Sequence, residues 1–104
     1  MHYLGGLTGS GMLMCDGREV ARVSYDFDGF RRPSSEIVGN GEIKLAANTL
    51  KEVFGLNVQI RTDDGRLLKV KFSERSLNPH AGVAHVDVSG DLPAFAQHWR
   101  RWAG

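Results

Sequence analysis

His85 and Asp87 stand two residues apart in an alternating stretch, so both leave the same face of a strand. An imidazole beside a carboxylate is a pairing that general acid–base chemistry uses, and this marks the first candidate site. Adding His80 and His98 gives a set that could in principle hold a metal. Zinc sites, however, draw on Cys and His at short fixed spacings, and no such spacing occurs here, so no metal and no cofactor is expected. Asp26-Phe27-Asp28-Gly29 opens like a calcium loop, but the twelfth position, where a bidentate Glu belongs, is Ile37.

Phe30-Arg31-Arg32 is the second candidate, because guanidinium forks match phosphate and carboxylate oxygens bidentately, the alternative being that Phe30 caps the barrel end and the arginines sit in water. Together the ligand-binding candidates are Phe30, Arg31, Arg32, His85 and Asp87. A third set lies on the outer face of the stretch 56–72, where Arg61, Lys69 and Lys71 alternate outward, with Arg66 at the turn and Arg75 just beyond. A nucleic-acid backbone could lie across that row. Single-strand binders interleave aromatic rings for base stacking, whereas this row carries none and has Asp63, Asp64 and Glu74 among its cations.

Catalytic nucleophiles are not indicated. Cys15 ends an alternating strand with no histidine near it in sequence, and Ser10, Ser24, Ser34 and Ser35 lack a nucleophile-elbow context. Gly9-Ser10-Gly11 has neither the preceding parallel strand nor the following helix of a dinucleotide loop. The functional expectation is therefore a small non-enzymatic binding or accessory module for a protein or small ligand. A nucleic-acid-binding barrel using the 56–72 hairpin ranks second, and a small enzyme with a site near His85 and Asp87 ranks a distant third.

Composition sets the same limits. The chain of 104 residues, with 41% hydrophobic and 24% charged residues, is expected to form one domain over 1–104 with a single core. A formal charge of +1 gives little attraction for a polyanion. Residues 61–104 carry seven Lys/Arg against five Asp/Glu, while residues 1–60 carry six against seven, a weak asymmetry. The single cysteine leaves no internal disulfide, and neither an apolar span nor a leader pattern is apparent, so a cytoplasmic protein with no membrane partner is expected.

Alternation decides which elements carry these residues. Leu56, Val58 and Ile60, then Leu68, Val70 and Phe72, face one side of a hairpin that turns at Asp64-Gly65. Asp16-Gly17-Arg18 repeats the same turn chemistry between a strand ending at Cys15 and one running from Val20 to Phe27. Residues 28–35 read as a loop, and Gly39-Asn40-Gly41 reads as the turn of a third hairpin between 36–38 and 42–46. Thr49 and Glu52 stand at capping-box spacing, which predicts a short helix near 49–54 closed by Gly55.

A last strand runs over 83–89, and Asp91 with Pro93 opens a predicted C-terminal helix near 92–102. Its stripe of Leu92, Phe95, Trp99 and Trp102 must dock internally or meet a partner, including a second copy. The fold class these elements predict is all-β, mainly antiparallel: a closed or half-open barrel or sandwich of about six to seven strands. Its core is expected to hold Val23, Tyr25, Phe27, Ile43, Leu45, Val58, Ile60, Val70, Phe72, Val86 and Val88.

Overall fold

Two long strands dominate the architecture: β1 (His2–Cys15) and β2 (Arg18–Arg31), each of 14 residues. They are joined by a tight turn in which Asp16 and Gly17 both take positive φ, 52° and 77°. Two left-handed residues in succession suit the right-handed twist of the flanking strands, which is why Asp-Gly stands there. The structure, a computed structural model, describes residues 1–76, 82–94 and 99.

The remaining elements are β3 (Ile37–Lys44), α1 (Ala47–Val53), β4 (Val58–Thr62), β5 (Leu67–Phe72) and β6 (Val83–Gly90). All pairings are antiparallel, and the order β1-β2-β3-β6-β5-β4 closes on itself as a barrel. Closure is made where Gly11–Met14 of β1 pair with Gln59–Thr62 of β4. The all-β barrel expected from the alternation is therefore present, with six strands.

Three local expectations are corrected. The Gly39-Asn40-Gly41 stretch is not a turn but the middle of β3, paired on both sides with β2 and β6. A Cβ on Gly41 would run into the Asp26 carbonyl of β2, so this glycine serves a close backbone approach rather than a reversal. The true reversal lies at 32–36, where Arg32 N–H donates to the Glu36 carbonyl at 2.8 Å and Ser35 takes φ 72°. Asp28–Arg31, read as loop, belongs to β2. Leu56, which the alternation places on the apolar side of the hairpin, is 49% exposed because β4 begins only at Val58.

α1 begins two residues before the expected start, with Ala46 at its N-cap and no side-chain cap, so Thr49 sits inside the helix. The end is as expected: Gly55 adopts φ 86°, and the Phe54 N–H bonds back to the Leu50 carbonyl. Leu50 and Val53 turn into the core, while Phe54 packs on Phe72 with ring centroids 5.0 Å apart.

Inward positions of the strands form one core. Val23, Tyr25, Phe27, Ile43, Val58, Ile60, Val70, Val86 and Val88 are buried, as their period of two requires, and Leu45 and Phe72 are half-buried against them. Leu4, Leu13, Leu68 and Ala84 complete the interior. Past β6, Leu92, Pro93 and Ala94 are not helical. Residues 95–98 and 100–102 of the expected C-terminal helix, including Phe95, His98 and Trp102, lie outside the described residues. Trp99 is buried, at 3% exposure, and its indole N–H donates to the Pro93 carbonyl at 3.0 Å. Among the described residues no helix is long and apolar enough to cross a membrane.

Candidate groove on the outer face of the barrel

The closed barrel brings together outward residues from strands far apart in sequence. On β5, Lys69 and Lys71 point outward because Leu68 and Val70 point inward. Register then fixes their neighbours. Lys69 stands opposite Gln59 on β4 and Ser89 on β6, and Gln59 in turn stands opposite Met14 on β1. Lys71 stands opposite Asp87, and Asp87 opposite Asn40 on β3. Val38, one residue before the Gly39 that pairs with Val88, carries the first row on to β3, where it faces Phe30 of β2.

These two transverse rows line a groove of about 850 Å³. Phe30, Arg32 and Glu36 stand at the end of the groove near β2 and β3, and Met14 and Asp16 at the end near the β1–β2 turn. Phe30, Val38 and Met14 are half-buried, so each end of the first row offers an apolar surface. Among the described residues the charged side chains lining the groove are Arg32, Lys69 and Lys71 against Asp16, Glu36 and Asp87, a balance that gives little pull on a polyanion.

The sequence candidates divide between the groove and other surroundings. Phe30, Arg32, Asp87, Lys69 and Lys71 all line the groove, although the sequence placed them in three separate sets. Arg32 lies 3.5 Å from Glu36. Arg31 turns elsewhere and donates to the Ala94 carbonyl at 2.9 Å. Arg61 is bound to Glu19 at 2.7 Å, and Arg66 lies 3.7 Å from Asp64 and 3.9 Å from Asp91. Arg75 is exposed beyond β5.

His85 shares the outer face of β6 with Asp87 but is engaged with Glu74. One Glu74 carboxylate oxygen accepts the His85 backbone N–H at 2.6 Å and sits 3.2 Å from ring Nδ1. Glu74 is held below the usual carboxylate range chiefly by that backbone hydrogen bond; burial opposes it as the next-largest effect, and the ring lowers it by less. His85 is thus engaged with Glu74 rather than with Asp87, and the two do not form a dyad. His80 and His98 lie outside the described residues, and among the described residues no three His, Cys, Asp or Glu gather in a metal-holding group.

Asn40, Asn57, Gln59 and Ser89 were not legible as site residues. By residue type Asn40 between two glycines suits a turn, and the others are ordinary outward strand positions. The period of two did place Asn57 and Gln59 on the outward face with Lys69 and Lys71, but the register that adds β3 and β6 is a tertiary fact. No protein family, curated protein or solved structure matches this chain.

Proposed function

We propose that this chain is a small binding module that takes an extended polar ligand in the groove across β3, β6, β5 and β4. The observation that carries the reading is the floor of that groove. Asn40, Asn57, Gln59, Lys69, Lys71 and Asp87 converge there, and among the described residues none of these side chains has a hydrogen-bond or ion-pair partner within the protein. Binding sites combine a few convergent polar groups with apolar surface, and half-buried Phe30, Val38 and Met14 supply the latter. A module without chemistry of its own also accords with His85 being engaged with Glu74 rather than with Asp87. The lone cysteine favours the cytoplasm as its compartment.

Nucleic acid is the weaker reading. Lys69 and Lys71 are free to meet phosphates, but Arg61 and Arg66 already have carboxylate partners, and the side-chain charges lining the groove balance. Among the described residues Phe30 is the single aromatic ring at the groove, too few for a stacking platform.

Backbone-amide NMR with three panels, of short peptides, neutral oligosaccharides and single-stranded oligonucleotides, tests the proposal. Ligand-induced shifts concentrated on Asn40, Gln59, Lys69 and Asp87 are expected for at least one panel. Shifts confined to surfaces elsewhere, or no shifts at millimolar ligand, would overturn it.

A further inference from the structure

The first groove row has a chemical order that specifies more than a polar ligand. Read across the barrel it runs Val38, Ser89, Lys69, Gln59, Met14: apolar, hydroxyl, cation, amide, apolar. Lys69 lies two strands from each end of the row, and neighbouring strands are ~4.8 Å apart, so each apolar end is about 9.6 Å from the cation along the sheet. A polyproline II helix advances ~3.1 Å per residue with three residues per turn, so its side chains return to one face every ~9.3 Å. The two repeats match. A β-strand repeats every ~6.6 Å on one face and falls out of step with the row.

Resting on the groove reading, we propose that the ligand is a peptide segment of a partner protein in polyproline II conformation, with an acidic side chain on Lys69 and an apolar side chain three residues to either side. The acidic group meets the ammonium of Lys69, with Lys71 two residues along the same strand face to strengthen the local field. The flanking apolar groups cover Val38 with Phe30 at one end and Met14 at the other. A polyproline II backbone has no internal hydrogen bonds, so its carbonyls and N–H groups are free for the Gln59 amide and the Ser89 hydroxyl between the anchors. Asp87, opposite Lys71, disfavours a second acidic residue on that side, which separates this ligand from a run of phosphates.

Three seven-residue peptides decide the matter, each with leucine at its first and seventh positions and proline and serine between. The fourth position is glutamate, glutamine or lysine. Titrated into the whole chain and followed by amide NMR, the glutamate peptide is expected to shift the groove residues and to bind at least about tenfold tighter than the glutamine peptide. K69E is expected to lose the glutamate peptide and to gain the lysine peptide, a swap that a loss of folding cannot mimic. K69Q, at an exposed position, should keep the native spectrum while erasing the preference. If glutamine and glutamate peptides bind the groove equally, the acidic anchor is wrong and the groove reading survives. If a glutamate peptide with its leucines one residue closer on each side binds as well, the polyproline II register is wrong. If an oligonucleotide or acidic oligosaccharide binds the groove more tightly than any of these peptides, the peptide class is wrong. If none of these ligands perturbs the groove this inference falls, and the reading it rests on falls with it when the neutral oligosaccharides fail as well.

Discussion

Trp99 lies directly over Gly29, its indole ring occupying the space that a β-carbon at that position would need. Gly29 is an inward position of β2, opposite Gly5 on β1 and Gly39 on β3, and Leu92 reaches the same place beside Gly39. Three neighbouring strands thus carry no side chain at this point, and the segment after β6 supplies the missing volume. The stripe read from the sequence as either an internal dock or a contact for a second copy has, at Trp99, docked internally.

Replacing Trp99 with alanine is therefore expected to destabilise the fold by about 3–5 kcal/mol, the usual range for a buried aromatic. That corresponds to a fall in Tm of at least about 12 °C for a domain of this size. Gly29→Ala should also destabilise, because the ring must move to admit the methyl group. Thermal unfolding followed by far-ultraviolet circular dichroism checks both. A Trp99→Ala protein that melts with the native protein would mean the indole contributes nothing to the core.

Glu74 offers a pH-dependent signature whose parts can be separated. The folded chain holds its carboxylate below the ordinary value of 4.5, chiefly through the His85 backbone N–H. On acidification the unfolded chain binds this proton first, so the contribution of Glu74 to stability is present above pH 4.5 and is lost as pH falls through the lowered folded value. His85→Ala removes the ring but keeps the backbone donor. NMR titration of the Glu74 carboxyl carbon should show that most of the depression survives in that variant. A full return to the ordinary value would assign the effect to the imidazole instead.

How far the sequence was legible follows from which physical signal each residue carried. Period-two alternation at Val58, Ile60, Val70, Val86 and Val88 reports burial on one face, and a small chain with that many half-apolar strands must close a sheet to cover them. Asp16-Gly17 and Asp64-Gly65 were readable because positive φ restricts the residue types that tolerate it. Gly39-Asn40-Gly41 misled because glycine has two uses, reversal and close approach, and the residues alone do not distinguish them. The groove was half visible. Lys69, Lys71, Asp87, Phe30 and Arg32 were each marked, but as members of different sites, since which strand lies beside which is set by the tertiary order of the barrel. The partners of Arg61 and Arg66 were hidden for the same reason: Glu19 and Asp91 lie 42 and 25 residues away in sequence.

The ion pairs limit any nucleic-acid affinity. Five contacts from Arg61, Arg66, Lys69, Lys71 and Arg75 would give a slope of log K against log salt near −3.5, at about −0.7 for each single-strand phosphate. With Arg61 held by Glu19 and Arg66 between Asp64 and Asp91, three cations remain, and the slope is expected to be no steeper than about −2. Fluorescence anisotropy with a labelled single-stranded oligonucleotide between 50 and 200 mM salt, over which the Debye length falls from about 14 to about 7 Å, measures it. A slope near −3.5 would show that the arginines leave their carboxylates to bind.

Asn40 and Gly41 separate the strand reading of 37–44 from the turn reading, and they do so with opposite expected effects. Asn40 points outward into the groove and is exposed, so Asn40→Ala should leave stability within about 0.5 kcal/mol of the native protein, as surface substitutions do. Gly41 faces the opposite way, with φ 156° and the Asp26 carbonyl lying where its β-carbon would go. Alanine there must push β2 and β3 apart at a point where both are paired, so Gly41→Ala should destabilise by more than the ~1 kcal/mol that glycine ordinarily concedes to alanine. In a hairpin turn at 39–41 the pattern would invert, since Asn40 would then supply the turn conformation and Asn40→Ala would be the damaging change. Urea unfolding of the two single variants decides it, and a groove ligand should lose affinity with Asn40→Ala while that variant stays folded.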